Sequence, residues 1–342
     1  MSHRGQIADR PESRTHLVTG VAGQDGVLLA RHLLQRGDRV VGTVRDERDH
    51  RTMACYLAGV DVVVHDVRDR DRFAALLDEH RPAAVHNLAA MSSVGASWND
   101  VETTRAVNEI AVRDMLAVLT DLGAGAPAFV QASSSEIFGA VPSGSTVDET
   151  AALDPVSPYG EAKAAAHRAV AAAREAGLHA TNLVLFGHTS PIHAPTFVLP
   201  RITRTAAEVA LGRRTSVELQ DPTAQRDWGA AADYVTAYRL AVDAPAGDFV
   251  IGTGDVHSLR EVVEWALEAA GAPEAPLVAT GDVRPHDFGG VVADANRARE
   301  VLHWRPGMPL RQVVEQMVEA DLARLRTGRE QDVAYLAEEA AR

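Results

Sequence analysis

The sequence predicts an α/β fold: a doubly wound parallel Rossmann sheet with a smaller C-terminal α/β substrate lobe. Three observations predict it. Apolar runs of strand length alternate with helical stretches, a glycine-rich turn joins the first strand to the first helix, and a tyrosine and lysine four residues apart open a later helix. At 342 residues the chain exceeds what one hydrophobic core usually organises, which calls for the second lobe.

Residues 1–13 are polar and are expected to form a tail. Residues 16–18, His-Leu-Val, are the first strand, and Thr19-Gly20-Val21-Ala22-Gly23-Gln24-Asp25-Gly26 leads from it into 27–34, whose apolar residues recur at helical spacing. Gly20, Gly23 and Gly26 let the backbone turn sharply and lie close to a pyrophosphate, whose charge is favoured at a helix N-terminus. Further strands are expected at 39–44, 60–64, 83–88, 128–132 and 180–185, with helices between most of them. Function should then sit at their C-terminal ends. From Gly187 the pattern breaks into loops with Pro and His, resumes as a helix near 201–211, and returns to the sheet at 249–252. The expected division is 14–186 plus 224–258 for the dinucleotide-binding domain and 187–223 plus 259–328 for the substrate lobe, with 329–342 a second tail.

Tyr159 and Lys163 lie on one face of an alanine-rich helix running to about Glu175. A phenol is a poor base at neutral pH, and a nearby ammonium is expected to favour the phenolate. Tyr159 could then take a hydroxyl proton while hydride leaves for a nicotinamide. The net charge of −13 argues against general nucleic-acid affinity, so an anionic ligand must be held by local Arg, Lys or backbone amides. The single cysteine, Cys55, rules out an internal disulfide or a thiolate metal cluster, and the 14 histidines show no paired metal-ligand spacing, so no metal is expected. No signal peptide or membrane-spanning run is recognised, and the expected location is cytoplasmic.

Longer motifs carry a resemblance. TGVAGQDG at 19–26, QASSSEIFG at 131–139, SPYGEAK at 157–163, LFGHTSP at 185–191, QRDWGAAADYV at 225–235 and FVIGTGDVHSLREVVE at 249–264 make the chain resemble the extended short-chain dehydrogenases/reductases, and among them the GDP-mannose 4,6-dehydratase family. The resemblance implies an NADP-dependent hydro-lyase: C4 of a nucleotide-linked hexose is oxidised, water is eliminated across C5 and C6, and the hydride returns to C6. It implies Tyr159 as the base at the C4 hydroxyl, Lys163 on the cofactor ribose, Ser134 as hydrogen-bond partner of the same oxygen, and Glu136 as the residue that removes the C5 proton. Ser134 stands where the family usually has Thr. An epimerase or reductase using Tyr159 and Lys163 without Glu136, or a dehydratase acting on another nucleotide-hexose, is the alternative.

The cofactor contacts expected from the turn and the resemblance are Gly20, Gly23, Gln24, Asp25, Gly26, Arg45, Asp66, Val67, Leu88, Ala89 and Ala90, with Tyr159 and Lys163. Arg45 after the second strand favours NADP, whereas Asp46 and Glu47 oppose a 2′-phosphate and keep NAD open. The resemblance places Ser93, Gly187, Val198, Arg201, Arg226, Arg284 and Asp287 at the substrate, the arginines suiting a diphosphate through their planar fork. Gly187, Asp287 and the run Met91-Ser92-Ser93 depart from the family's residues where sugar and base are read. A homodimer or homotetramer is expected, and the loop after Arg45 is shorter than the family's tetramer-forming loop.

Overall fold

The computed structural model describes residues 13–281 and 290–336. Seven strands form one sheet: β1 (Thr15–Thr19), β2 (Arg39–Val44), β3 (Asp61–Val64), β4 (Ala84–Asn87), β5 (Ala128–Ser134), β6 (Ala180–Leu185) and β7 (Asp248–Ile251). They lie in the order β7-β6-β5-β4-β1-β2-β3, every pairing parallel. Chain direction across the sheet switches between β1 and β4, the place where open α/β sheets bind ligands beyond their carboxyl ends.

Alternate side chains serve opposite faces, because successive residues of a strand point opposite ways. Val18, Val40 and Val130 join a core with Leu29, Leu33, Leu183 and Tyr238. Their neighbours Leu17, Val41 and Phe129 join another with Phe73, Leu76 and Leu119. Burial on both faces is why these strands read as continuous apolar runs.

The helices Val198–Ala210, Leu259–Ala270 and Leu310–Thr327 enclose a further core of Leu199, Ile202, Val263, Val314 and Met317. A Ser258–Glu261 capping box starts the second of them. Strand Gln225–Ala230 pairs with Gly187–Thr189 and Val256–Ser258. It gives Trp228 to this core, while the helix after it, Ala231–Asp243, gives Tyr234 and Tyr238 to the sheet's.

Residues 329–336, expected as part of a tail, pack against the fold. Leu336 is 1% exposed in the same core as Met53 and Tyr56, and the Asp332 N–H donates to the Tyr56 hydroxyl at 3.1 Å. One buried leucine in a charged stretch leaves no periodicity to read. Among the described residues no helix is long and apolar enough to cross a membrane.

Candidate active site

A cleft of about 1650 Å³ opens at the carboxyl ends of β1, β4 and β5 and runs toward the smaller lobe. Its glycine turn is closed by necessity. Gly20 has a φ of +70°, and a Cβ on Gly26 would sit 2.4 Å from the Gly20 carbonyl oxygen. Gly23 is exposed, and a Cβ there would meet only that oxygen, at 3.3 Å, so the turn stays open toward the cleft where the helix Gln24–Gln35 begins. That cradle of glycines and helix-start amides fits the pyrophosphate of a dinucleotide.

Gln24 and Asp25 line the cleft, but their side chains face protein. The Ser190 hydroxyl donates to Gln24 Oε1 at 2.9 Å, and His188 Nε2 lies 2.9 Å from Asp25 Oδ2. His188 Nδ1 is 2.7 Å from the Phe186 carbonyl, so both ring nitrogens face acceptors and the imidazolium suits the site. Burial lowers the His188 pKa, but Asp25 more than reverses this and lifts it above the ordinary value. Burial likewise raises Asp25, and His188 brings it below the usual range. The turn is thereby tied to the segment that follows β6.

Beyond β2, Arg45, Asp66 and Val67 line the cleft beside Asp49, Thr52 and Met53. Arg45 lies 3.8 Å from Asp49 and 4.0 Å from Asp46, exposed pairs that hold it loosely. Asp46 caps the helix Glu47–Met53, accepting from Arg48 and Asp49 amides. A side-chain hydrogen bond from Arg68 brings the Asp66 carboxyl down to about 2. Leu88, Ala89 and Ala90 line the other half.

β5 ends at Ser134, whose hydroxyl accepts the Glu136 amide at 3.3 Å and caps the turn Ser135–Ile137. The helix Pro158–Glu175 starts with Ser157 as cap and Pro158 in its first turn, and buries Tyr159 and Lys163 on one face. Tyr159 and Ser134 line the cleft together, and the Ser134 hydroxyl works against the rise of the phenol's pKa. Lys163 Nζ lies 5.7 Å from the Tyr159 ring centroid and donates to the Ala132 carbonyl at 2.9 Å. Burial pushes the Tyr159 phenol up to about 12, with Glu136 and Asp25 adding and Ser134 opposing. Burial brings Lys163 down to about 8. The phenol thus lies above its ordinary value, against the expectation that Lys163 draws it down: burial outweighs the favourable neighbours, and Lys163 gives up its own charge near 8, before the phenol would ionise.

The same carbonyl accepts Gln131 Nε2 at 2.9 Å. Gln131 Oε1 takes Asn87 Nδ2 at 2.8 Å, Asn87 Oδ1 takes the Thr19 hydroxyl at 2.6 Å, and Thr19 Oγ1 accepts the Ala89 amide at 3.2 Å. A chain of largely buried hydrogen bonds thus runs from Lys163 to the strand before the glycine turn.

Two residues with positioning roles escaped the sequence reading. Asn108, in a π-turn at Ala106–Ile110, accepts the Met91 amide at 2.9 Å and donates to its carbonyl at 3.0 Å, fixing the segment beside the cleft. A lone Asn at an otherwise apolar helical position was the signal available. Asp227 is buried and accepts from the Thr253 amide and hydroxyl and from the Gly254 and Ala293 amides, at 2.6 to 3.1 Å. It binds the RDWG stretch to the GTGDVHS stretch.

Toward the smaller lobe Gly187, Val198 and Arg226 line the cleft, and Arg226 Nη1 donates to the Gln225 carbonyl at 2.7 Å. A Cβ on Gly187 would lie 2.4 Å from Trp228 Cδ1, so this indole occupies the room a side chain would need. Ser93 and Arg201 do not line the cleft. Ser93 caps the turn Val94–Ser97, and Arg201 is exposed while Arg204, one turn on, takes the cleft position. Arg284 and Asp287 lie outside the described residues. Among the described residues no group of three or more His, Cys, Asp or Glu side chains could hold a metal ion.

The family model described as GDP-mannose 4,6 dehydratase matches residues 17–317. The chain is 34% identical over 353 residues to a GDP-mannose 4,6-dehydratase of Sinorhizobium fredii (strain HH103), covering 93% of this chain and 99% of that protein. It is 34% identical to GDP-mannose 4,6 dehydratase of Homo sapiens, covering 91% and 92%. Among solved structures it is similar to a UDP-glucose-4-epimerase from Stenotrophomonas maltophila with bound NAD and formylated UDP-arabinopyranose, with TM-score 0.80, 26% identity, and 92% and 99% of the two chains covered. With the cleft geometry and these matches together, the chain belongs to the GDP-mannose 4,6-dehydratase family.

Proposed function

We propose that the chain is an NADP-dependent nucleotide-sugar 4,6-dehydratase converting GDP-mannose to GDP-4-keto-6-deoxymannose. The meeting of Ser134, Glu136 and Tyr159 at the end of β5, in the cleft that holds the glycine turn, carries this conclusion. A bound oxidised dinucleotide supplies the hydride acceptor for C4, the donor for C6 and positive charge in the cleft that favours the phenolate. Tyr159 takes the C4 hydroxyl proton, and Ser134 steadies the phenol oxygen as its charge changes. Lys163, anchored on the Ala132 carbonyl, holds a buried positive charge below about pH 8. With C4 a ketone, the C5 hydrogen is acidic. Glu136 removes it and passes it to the C6 hydroxyl, which departs as water, a positioned base being worth about 10²–10⁴-fold; when the hydride enters C6, C5 takes back the proton that Tyr159 holds, which restores the phenolate.

Arg226 and Arg284 hold the diphosphate. Arg45 meets the 2′-phosphate of NADP, and its carboxylate neighbours leave NAD as the second cofactor. The lobe division at 187–223 and 259–328 belongs to the same proposal, supported by the core around Leu199 and Val314. So does a homo-oligomer built on sheet-flanking helices, where Val101 and Ile110 are 49% and 44% exposed.

Mass spectrometry of GDP-mannose incubated with the protein and NADP tests the reaction. The expected product is lighter by one water, and Glu136→Gln is expected to stop water loss while reduced cofactor still forms transiently. A 4-epimer without water loss would make the chain an isomerase, and unchanged dehydration in the variant would remove Glu136 from its role.

A further inference from the structure

We propose that residues 329–336 are a cofactor-binding strap that closes over the adenosine half of the dinucleotide, with Gln331 contacting it. The inference rests on the dinucleotide site proposed above.

The strap is tied down on both sides of the cleft. On the smaller lobe Arg324 donates to Asp321 at 2.9 Å, to the Pro191 carbonyl at 2.6 Å and to the Glu330 carbonyl at 3.0 Å, and its guanidinium lies 4.6 Å from the Tyr335 ring centroid. Arg204 lies 3.6 Å from the Glu330 carboxylate. On the other side, the Asp332 amide donates to the Tyr56 hydroxyl, and Leu336 is buried in the core that includes Met53 and Tyr56. Tyr56 ends the helical segment that follows β2, the strand whose carboxyl end reads the adenosine ribose in dinucleotide folds, and Arg45, Asp49, Thr52 and Met53 line the cleft there.

Between these anchors Glu330 and Gln331 line the same cleft. Gln331 Oε1 is buried with no hydrogen-bond partner among the described residues. A buried acceptor calls for a donor. At this end of the cleft the adenine amine and the ribose hydroxyls are the dinucleotide's donors.

Calorimetric titration with NADP, with GDP as a separate control, tests the strap, together with tryptic cleavage after Arg329, an exposed residue at its start. Gln331→Ala is expected to weaken NADP about five-fold, the loss of one neutral hydrogen bond, and to leave GDP binding unchanged. Tyr56→Phe keeps the ring but removes the hydroxyl that holds Asp332, outside the cleft lining. It is expected to weaken NADP by a smaller factor and to speed cleavage after Arg329, whereas NADP slows that cleavage in the wild type. Wild-type affinity in both variants, or cleavage indifferent to NADP, would overturn the strap. A wild-type chain that binds neither NADP nor NAD would overturn the proposed function itself, and the strap with it.

Discussion

Gly160→Ala should cripple the enzyme without touching any group that does chemistry. Gly160 lies between Tyr159 and Lys163 on the buried face of the helix, and a Cβ there would stand 2.7 Å from the Glu136 carbonyl oxygen and 3.1 Å from Pro155 Cβ. Ordinary contact begins at 3.4 Å, so about 0.7 Å of separation must be found. The helix start has little freedom to provide it: the Gly160 amide donates to Ser157 Oγ at 3.1 Å and the Tyr159 amide to Ser97 Oγ at 3.3 Å. The displacement therefore falls on the turn carrying Glu136. Overpacking of this kind costs about 1–3 kcal/mol, and misplacing a reacting group by about 1 Å costs up to ~10²-fold. The expected result is a kcat for dehydration lower by about ten- to a hundred-fold with NADP affinity near wild type. Steady-state kinetics and calorimetry read the two quantities. A variant with wild-type kcat would show that Glu136 does not depend on this close approach.

Three further outcomes follow from the buried titratable groups. Lys163 loses its charge as pH rises through about 8, so NADP affinity should fall across that value, and a profile level to well above it would contradict the ribose-holding role. His16 is fully buried, 2.9 Å from His86, and burial brings it down to about 4. The unfolded chain takes up a proton there below about pH 6.5, so the stability this histidine contributes at neutral pH is lost as pH falls from about 6.5 to about 4, at most ~3 kcal/mol. Urea midpoints should drop over that window, and an identical slope in His16→Gln would assign the drop elsewhere. Asp25→Ala removes the group that keeps His188 protonated, so the buried ring turns neutral and loses its partner, which should lower the denaturation midpoint by about 1–3 kcal/mol in free-energy terms, and an unmoved midpoint would deny the pair its tethering role.

The sheet was legible because parallel strands covered on both faces are written as unbroken apolar runs. Residues 39–44 and 180–185 coincide with β2 and β6, and 60–64, 83–88, 128–132 and 249–252 fall within two residues of β3, β4, β5 and β7 at either end. Three-residue strands such as Gly187–Thr189 and Val256–Ser258 carry too few side chains for any alternation to show. Local motifs brought the glycine turn and the Ser-Ser-Glu and Tyr-Lys groups into view, since each is contiguous in sequence. The contact between Asp25 and His188, 163 residues apart, left no local trace, and neither did the strap, whose anchors Arg324 and Tyr56 belong to distant elements. Ser93 and Arg201 stand off the cleft lining for the opposite reason. A motif position gives residue type without side-chain direction, and one turn of helix separates the exposed Arg201 from Arg204 in the cleft.

The glycine turn is therefore placed by two independent sets of buried and part-buried bonds. One runs through the sheet, from Ala89 and Thr19 by way of Asn87 and Gln131 to the carbonyl that anchors Lys163. The other runs across the cleft, from Gln24 and Asp25 to Ser190 and His188 beside Gly187. The first fixes the dinucleotide cradle relative to Tyr159 and Lys163, and the second fixes it relative to the segment that follows β6. A hydride that must leave C4 and return to C6 of the same hexose requires both distances to hold through the cycle, because each transfer needs the reacting atoms within about 3–3.5 Å. A surface loop could not hold the turn so closely. Buried, fully paired polar groups can, since any departure leaves a donor or acceptor unsatisfied at a cost of about 1–3 kcal/mol each.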